Sequence, residues 1–442
     1  MSTQGKDRLQ ADIRALLERS KDAFYKLSTL RGEVRSQALE ILAKLAEEST
    51  QFLLSENKKD LAAWEGTLKA SLYKRLQLDE SKLAQVIQGV RDVAALPDPI
   101  GRTLERTRLD SGLVLEKVSV PLGVIAIVFE SRPDVVPQIL GLALKSGNAV
   151  VLKGGREAFH SNHAFMTLVE KLEKRVPELP PGWAQLVDTR EDFHSLLAHP
   201  DLVDLVIPRG SNELVRTIMN STQIPVLGHA EGICHVYVHE RADQRRAIRV
   251  TVDAKAQYPA VCNAVETLLV DQAIAGEFLP AFARAAASAR ICLKGCAATR
   301  RVLPEVEAAA PEDWTTEYGD LTLSVRVVEG LEEAIDHINR FGSHHTDAIM
   351  TEDAEVREAF LARVDSATVV ANASTRFADG FRFGLGAEVG ISTLKTHARG
   401  PVGLEGLTLY KYVLRGEGQV VADYVGENAK AFLHEKMPLR DE

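Results

Sequence analysis

Cys262 is the residue whose setting best suits covalent chemistry. It lies in QYPAVCNAVETLLV (257–270), where Pro259 breaks any helix and an apolar strand pattern follows, so the thiol falls in an irregular stretch just ahead of a strand. A thiolate held there can attack an acyl carbon and keep the acyl group as a thioester. Cysteines are more often inert and buried, and position favours Cys262 only modestly over the other three. Cys234 sits beside the alternating Val236 and Val238, while Cys292 and Cys296 form C-x-x-x-C as two packed or surface thiols. No second cysteine pair or histidine pair completes a zinc site, and His160 with His163 lacks a third ligand, so no metal is expected. A second group is VVLKGG, with Lys153 and Gly154-Gly155 at the carboxyl end of an expected parallel strand, the edge where open α/β sheets bind ligands. The lysine offers positive charge to a ribose or phosphate, and the glycines permit close backbone approach. There is no G-x-x-x-x-G-K-[ST] loop, and no G-x-G-x-x-G follows a strand; the nearest match, Gly384 to Gly390, has one residue too many.

The elements that must position these groups are legible from patterning. At about 150 residues per domain, 442 residues suggest roughly three domains. A 45% hydrophobic and 26% charged composition excludes a disordered or collagen-like chain, and four cysteines are too few for a disulfide scaffold. The 62 acidic against 53 basic residues disfavour nucleic acid as a partner. The N-terminus lacks an apolar signal core, and the longest apolar run, 122–129, is far short of the roughly 20 residues of a membrane helix. A cytoplasmic location away from membranes is therefore expected.

Residues 1–95 are helical by pattern, with Val34, Ala38, Leu42 and Leu45 on one face. Pro97 and Pro99 end them, and 102–118 alternates around the turn Asp110-Ser111-Gly112 as a hairpin. From 121 onward, apolar strands and helical stretches alternate: 123–129, 149–153, 183–188 and 202–208, then 235–240, 266–270, 324–329, 347–350 and 368–372. The fold class expected is α/β, two doubly wound α/β domains in succession. The tail from 400 returns to strand chemistry at Leu407, Leu409 and Tyr410–Val413; it could pair with the hairpin and make subunit contacts, or lie as a simple edge strand.

Several blocks, in order, carry a resemblance: PLGVIAIVFESRPD, LKSGNAVVLKGGREAFHSN, VIPRGSNELVR, GHAEGICHVYV, DAKAQYPAVCNAVETLL and FGLGAEVGISTLKTHARGPVGLEGLTLYKYVLRGEGQ. From about residue 10 to 425 the chain resembles the gamma-glutamyl phosphate reductases, also called glutamate-5-semialdehyde dehydrogenases, a branch of the aldehyde dehydrogenase superfamily. The resemblance implies an aldehyde dehydrogenase-like fold with a bridging β-hairpin unit for oligomerisation. The expected division is an NADP-binding domain over 1–230, with the 102–120 hairpin contributing to oligomerisation, a catalytic domain over 231–400, and a return segment with oligomerisation strands over 401–442. It implies NADPH-dependent reduction of L-glutamyl 5-phosphate to L-glutamate 5-semialdehyde and phosphate, the second step of proline biosynthesis. Functional coupling to glutamate 5-kinase in a homo-oligomer accompanies this expectation.

By the same resemblance, Cys262 is the nucleophile. Lys153, with Gly154 and Gly155, serves the adenosine side of the cofactor, and Glu317 in TTEYGD holds the nicotinamide ribose. Arg209, Gly210 and Ser211 open a helix where the cofactor phosphates would pass. The substrate carries a phosphate and a carboxylate, for which Arg132, Arg376, His397 and Arg399 are the candidate cations. Many relatives have Asn after ESRP where this chain has Asp134, which places an extra negative charge near Arg132. The alternative is a hydrolytic aldehyde dehydrogenase acting on a small semialdehyde. Such enzymes carry a glutamate in E-L-G-G, but the matching segment here is Gly228-His229-Ala230-Glu231-Gly232, with His229 at that position and Glu231 two residues along in an unreadable direction. A non-catalytic partner of glutamate 5-kinase is the remaining reading, and intact Cys262 and Lys153 argue against it.

Overall fold

The computed structural model describes residues 3–439 apart from 211, 229 and 230. Five helices come first, Thr3–Leu27, Gly32–Glu48, Thr50–Trp64, Ala70–Leu76 and Glu80–Ala95. The second buries Ala38, Leu39, Leu42, Ala43, Leu45 and Ala46, the three- and four-residue steps of an amphipathic face. Its buried Arg35 pairs with Asp98 at 2.7 Å and so ties the helix to the proline break. β1 (Thr103–Asp110) and β2 (Leu113–Pro121) then form the expected hairpin, turning at Gly112 with φ +69°.

The first parallel sheet comprises β3 (Val124–Phe129), β4 (Ala149–Lys153), β5 (Ala184–Leu186) and β6 (Leu205–Arg209), in the order β5-β4-β3-β6. The continuous apolar runs follow from burial on both faces. Ile125, Ile127 and Phe129 enter one core, and Val124, Ala126 and Val128 enter another on the opposite side. Strand order reverses between β3 and β6, the switch point at which such sheets open a crevice.

The second sheet contains β7 (Cys234–Val238), β8 (Val265–Asp271), β9 (Cys292–Gly295), β10 (Glu307–Ala308), β11 (Thr322–Val328), β12 (Thr346–Met350) and β13 (Thr368–Ala371). They run parallel in the order β10-β9-β11-β8-β7-β12-β13. The chain is thus α/β with two doubly wound parallel sheets, as expected. β9 and β10 are additions to that expectation: short, with β10 at the sheet edge and β9 beside it, they lack the apolar runs that mark their neighbours.

The chain then crosses back. Val389, Val402, Leu404 and Leu407 pack into the first sheet's core, flanking the short antiparallel pair β14 (Ile391–Ser392) and β15 (Gly400–Pro401). β16 (Thr408–Arg415) pairs with β2 along its whole length, from Thr408 opposite Pro121 to Arg415 opposite Val114, and β17 (Glu435–Lys436) pairs with β1. The tail therefore joins the hairpin sheet and supplies both of its edge strands. Among the described residues no helix is long and apolar enough to cross a membrane, and no group of three or more metal-ligating side chains gathers.

Candidate active site

Cys262 lies in the irregular connection between the helix Gln244–Ala256 and β8. Several bonds fix the backbone beside it. Cys234 Sγ donates to the Cys262 carbonyl at 3.2 Å, Asn263 Nδ2 donates to the Ala378 carbonyl at 2.8 Å, and Thr375 Oγ1 donates to the Asn263 carbonyl at 2.7 Å. Gly232 presses on the same spot, because a Cβ there would lie 2.6 Å from the Cys262 carbonyl carbon. Burial raises the thiol, the nearby Glu317 and Glu388 carboxylates raise it further, and Arg376 opposes them; the outcome is a thiol pushed up to about 12. This setting disfavours the thiolate, chiefly because burial penalises its charge.

The Glu317 side chain reaches the start of the helix Asn212–Ser221, whose Asn212 Nδ2 stands 3.3 Å from Glu317 Oε2. This joins the two sheets' edges at the expected cofactor path. Behind it, Lys255 and Glu266 form a buried ion pair at 2.5 Å, and Gly319 N–H donates to Glu266 at 3.4 Å. Burial outweighs the lysine and moves the Glu266 carboxyl up to about 7. Ser211 and His229 lie outside the described residues, while Gly210 packs closely against Glu130 and Leu214.

Lys153 ends β4, is 8% exposed, and gives one Nζ donor to the Gly154 carbonyl at 2.8 Å. Burial lowers its ammonium; Glu157 opposes this, and Arg190 and Arg156 add like charge. The adjacent glycines have a protein-side reason: Gly154 abuts Asn162 and Gly155 abuts the Glu157 carboxylate. That carboxylate accepts from Ser131 N–H at 2.6 Å and Ser131 Oγ at 2.7 Å. An ammonium with donors to spare, flanked by two arginines at the carboxyl edge of the sheet, suits a phosphorylated nucleotide. A nicotinamide cofactor fits this edge, where Lys153, Gly154, Gly155 and Gly210 belong to the first sheet's connections and Glu317 lies near the thiol.

The four substrate candidates fall in two groups. Arg376 is buried, donates from Nε to Gln257 Oε1 at 3.0 Å, and acts electrostatically on Cys262. Arg132 is half-exposed and stands 3.9 Å from Asp134, whose other oxygen is 3.1 Å from Lys82. The extra charge of Asp134 is thus met by a lysine from the helix Glu80–Ala95. By contrast, Arg399 is held by Asp365, with Nη1 at 3.0 Å from its carboxylate and Nη2 at 3.0 Å from its carbonyl, and His397 Nε2 is held by the Gly406 carbonyl at 3.0 Å. Arg209 has its electrostatic neighbours at the thiol: Arg132, Glu388, Asp134 and Cys262. Glu231 pairs with Arg216 on the neighbouring helix.

Residue types alone did not single out Glu388, Asn212, Gln257 or Arg190. Glu388 lies in the glycine-rich block that nearly matches a dinucleotide fingerprint, the one local signal it carries. The others arrive through long-range packing.

Comparison with known proteins places this geometry. Residues 3–299 match the model of the aldehyde dehydrogenase family. A gamma-glutamyl phosphate reductase of Methanosarcina barkeri is 50% identical over 441 residues, 98% of this chain and 99% of that protein. One from Natronomonas pharaonis is 52% identical over 428 residues, covering 96% and 97%. The crystal structure of the Thermotoga maritima gamma-glutamyl phosphate reductase superposes with a TM-score of 0.90 at 36% identity, covering 92% of this chain and 99% of that one. With the match running over nearly the whole length of both chains, the chain belongs to the aldehyde dehydrogenase family and, within it, to the gamma-glutamyl phosphate reductases.

Proposed function

We propose that this oxidoreductase reduces L-glutamyl 5-phosphate to L-glutamate 5-semialdehyde and phosphate with NADPH, the second step of proline biosynthesis. The observation that carries the reading is a fixed cysteine among arginines in a chain half identical, end to end, to enzymes of that name. Cys262 attacks the acyl carbon and phosphate leaves, giving a thioester. Bound NADPH supplies the hydride that brings the acyl group to the aldehyde level. The Cys262 backbone N–H serves as a donor to the oxyanion, while Arg132 and Arg376 receive the anionic substrate. Arg399 and His397, held by Asp365 and Gly406, shape the return segment in this proposal. Cofactor binding belongs to the first sheet's unit and the thiol to the second's, with the β1–β2–β16 sheet as the contact of a homo-oligomer. Location in the cytoplasm and coupling to glutamate 5-kinase complete the proposal.

The test is oxidation of glutamate 5-semialdehyde with NADP. Strong dependence on phosphate, with little NADPH formed in its absence, is expected because Glu231 is held by Arg216 and is not poised as a free base for water. Vigorous phosphate-independent oxidation overturns the reading and favours the hydrolytic one.

Cofactor choice has its own test. Lys153, with Arg156 and Arg190 close by, is positioned to pair a 2′-phosphate. Lys153→Ala raises the KM for NADPH much more than that for NADH, by roughly 10- to 150-fold for a charged contact of about 1.5–3 kcal/mol. Equal losses with both cofactors remove the phosphate-pairing role.

A further inference from the structure

Arg209 is the last residue of β6 and the register partner of Phe129, the last residue of β3. These two strands meet at the switch point, and Arg132 follows just beyond β3. The two guanidiniums thus lie within electrostatic reach of each other, Arg209 at the end of β6 and Arg132 in the turn that follows β3. Arg209 Nη1 is shut off from solvent and has no hydrogen-bond partner among the described residues. The local acids do not complete it. Asp134 Oδ1 faces Lys82 at 3.1 Å and is itself left without a hydrogen bond among the described residues, and Glu388 accepts from the Gly380 N–H at 2.8 Å while burial raises its carboxyl. Burial, then Arg132, pulls the Arg209 guanidinium down to about 10, a sign of like charge without enough compensation. A buried unpaired N–H beside a like charge is unfavourable unless an anion is to complete it.

We propose that Arg209, together with Arg132, holds the phosphoryl group of the acyl phosphate and then the departing phosphate, and does not serve the cofactor's phosphates. This rests on the reductase reading above. The Cys262 sulfur bonds to the acyl carbon, and the bond from that carbon to the phosphate oxygen breaks with its electron pair staying on the oxygen. The thiol proton ends on the departing phosphate, giving hydrogen phosphate. In reverse, hydrogen phosphate attacks the thioester and the proton returns to sulfur. Guanidiniums suit this role because their planar N–H groups pair with phosphate oxygens while the charge stays fixed.

The full-length Arg209→Gln protein is assayed in semialdehyde oxidation, varying phosphate and NADP separately. The expected result is a KM for phosphate raised at least about tenfold, the scale of a lost charged hydrogen bond, with the KM for NADP within about twofold. Inorganic phosphate should also lose its thermal stabilisation of the variant. A raised KM for NADP with an unchanged KM for phosphate returns Arg209 to the cofactor and overturns the proposal. Should Arg209→Gln fail to fold, Arg132→Gln, on a half-exposed side chain, must show the same selective phosphate effect, and an unchanged phosphate KM there also overturns it. A wild-type protein with no phosphate dependence at all would instead sink the reductase reading itself.

Discussion

Cys262→Ser lowers turnover by about 10³-fold or more while the fold and cofactor binding survive. A serine hydroxyl is a far weaker nucleophile than a thiolate, and a serine ester holds the acyl group at a lower energy than a thioester does. Burial, Glu317 and Glu388 hold the native thiol up at about 12, so what the loop itself supplies is position. The other cysteines have different work. Cys292 is exposed, Cys296 accepts from Thr299 N–H at 3.4 Å to cap the helix Ala297–Val302, and Cys234 donates to the Cys262 carbonyl, which a serine can also do. Cys234→Ser, Cys292→Ser and Cys296→Ser should therefore each keep substantial activity. The measurement is kcat in both directions alongside cofactor titration by fluorescence. A Cys262→Ser enzyme that turns over near the normal rate rules out covalent catalysis.

The contrast between Cys262 and Arg209 shows how far residue order carries the argument. Cys262 is legible because its signal is local: Pro259 ends a helix and the apolar strand restarts three residues after the thiol. Lys153 is legible for the same reason, at the end of a buried strand. The strands themselves read clearly where both faces are covered, as in β3, and poorly where the strand is short and partly exposed, as in β9 with its exposed Cys292. Arg209 also lies at a readable strand end, but its neighbours Arg132, Glu388 and Cys262 come from three other parts of the chain. Their meeting depends on strand order and on the tail's return to the first core, neither of which any short pattern encodes. Gly154 and Gly155 teach the complementary lesson. They stand where a ligand-cradling pair was expected, yet their lack of a side chain also accommodates Asn162 and Glu157.

Gly232→Ala is expected to cut kcat by about 10²-fold or more, although the substitution adds one methyl group and touches no reacting atom. The added Cβ would lie 2.6 Å from the Cys262 carbonyl carbon and closer still to its carbonyl oxygen and Cα. All three are backbone atoms, so no side chain can swing aside to relieve the overlap. Gly232 is not among the positive-φ glycines, and close approach alone demands it. Relief requires the Cys262 backbone to move, which strains the bonds from Cys234 to the Cys262 carbonyl and from Asn263 to the Ala378 carbonyl. A displacement near 1 Å at a reacting centre can lose about 10²-fold in rate, whereas overpacking of this kind lowers stability by about 1–3 kcal/mol. Activity should therefore fall well before the fold does, and cofactor affinity should hold because Lys153 lies on the other sheet. Gly276→Ala is the control: a Cβ there meets nothing within 4 Å, on the helix Ala275–Ser288, and the change should be neutral or slightly stabilising. Thermal melts measured beside kcat separate the two effects. A Gly232→Ala enzyme with both near wild type would mean that the Cys262 loop yields freely, and that its fixed backbone is not what places the sulfur.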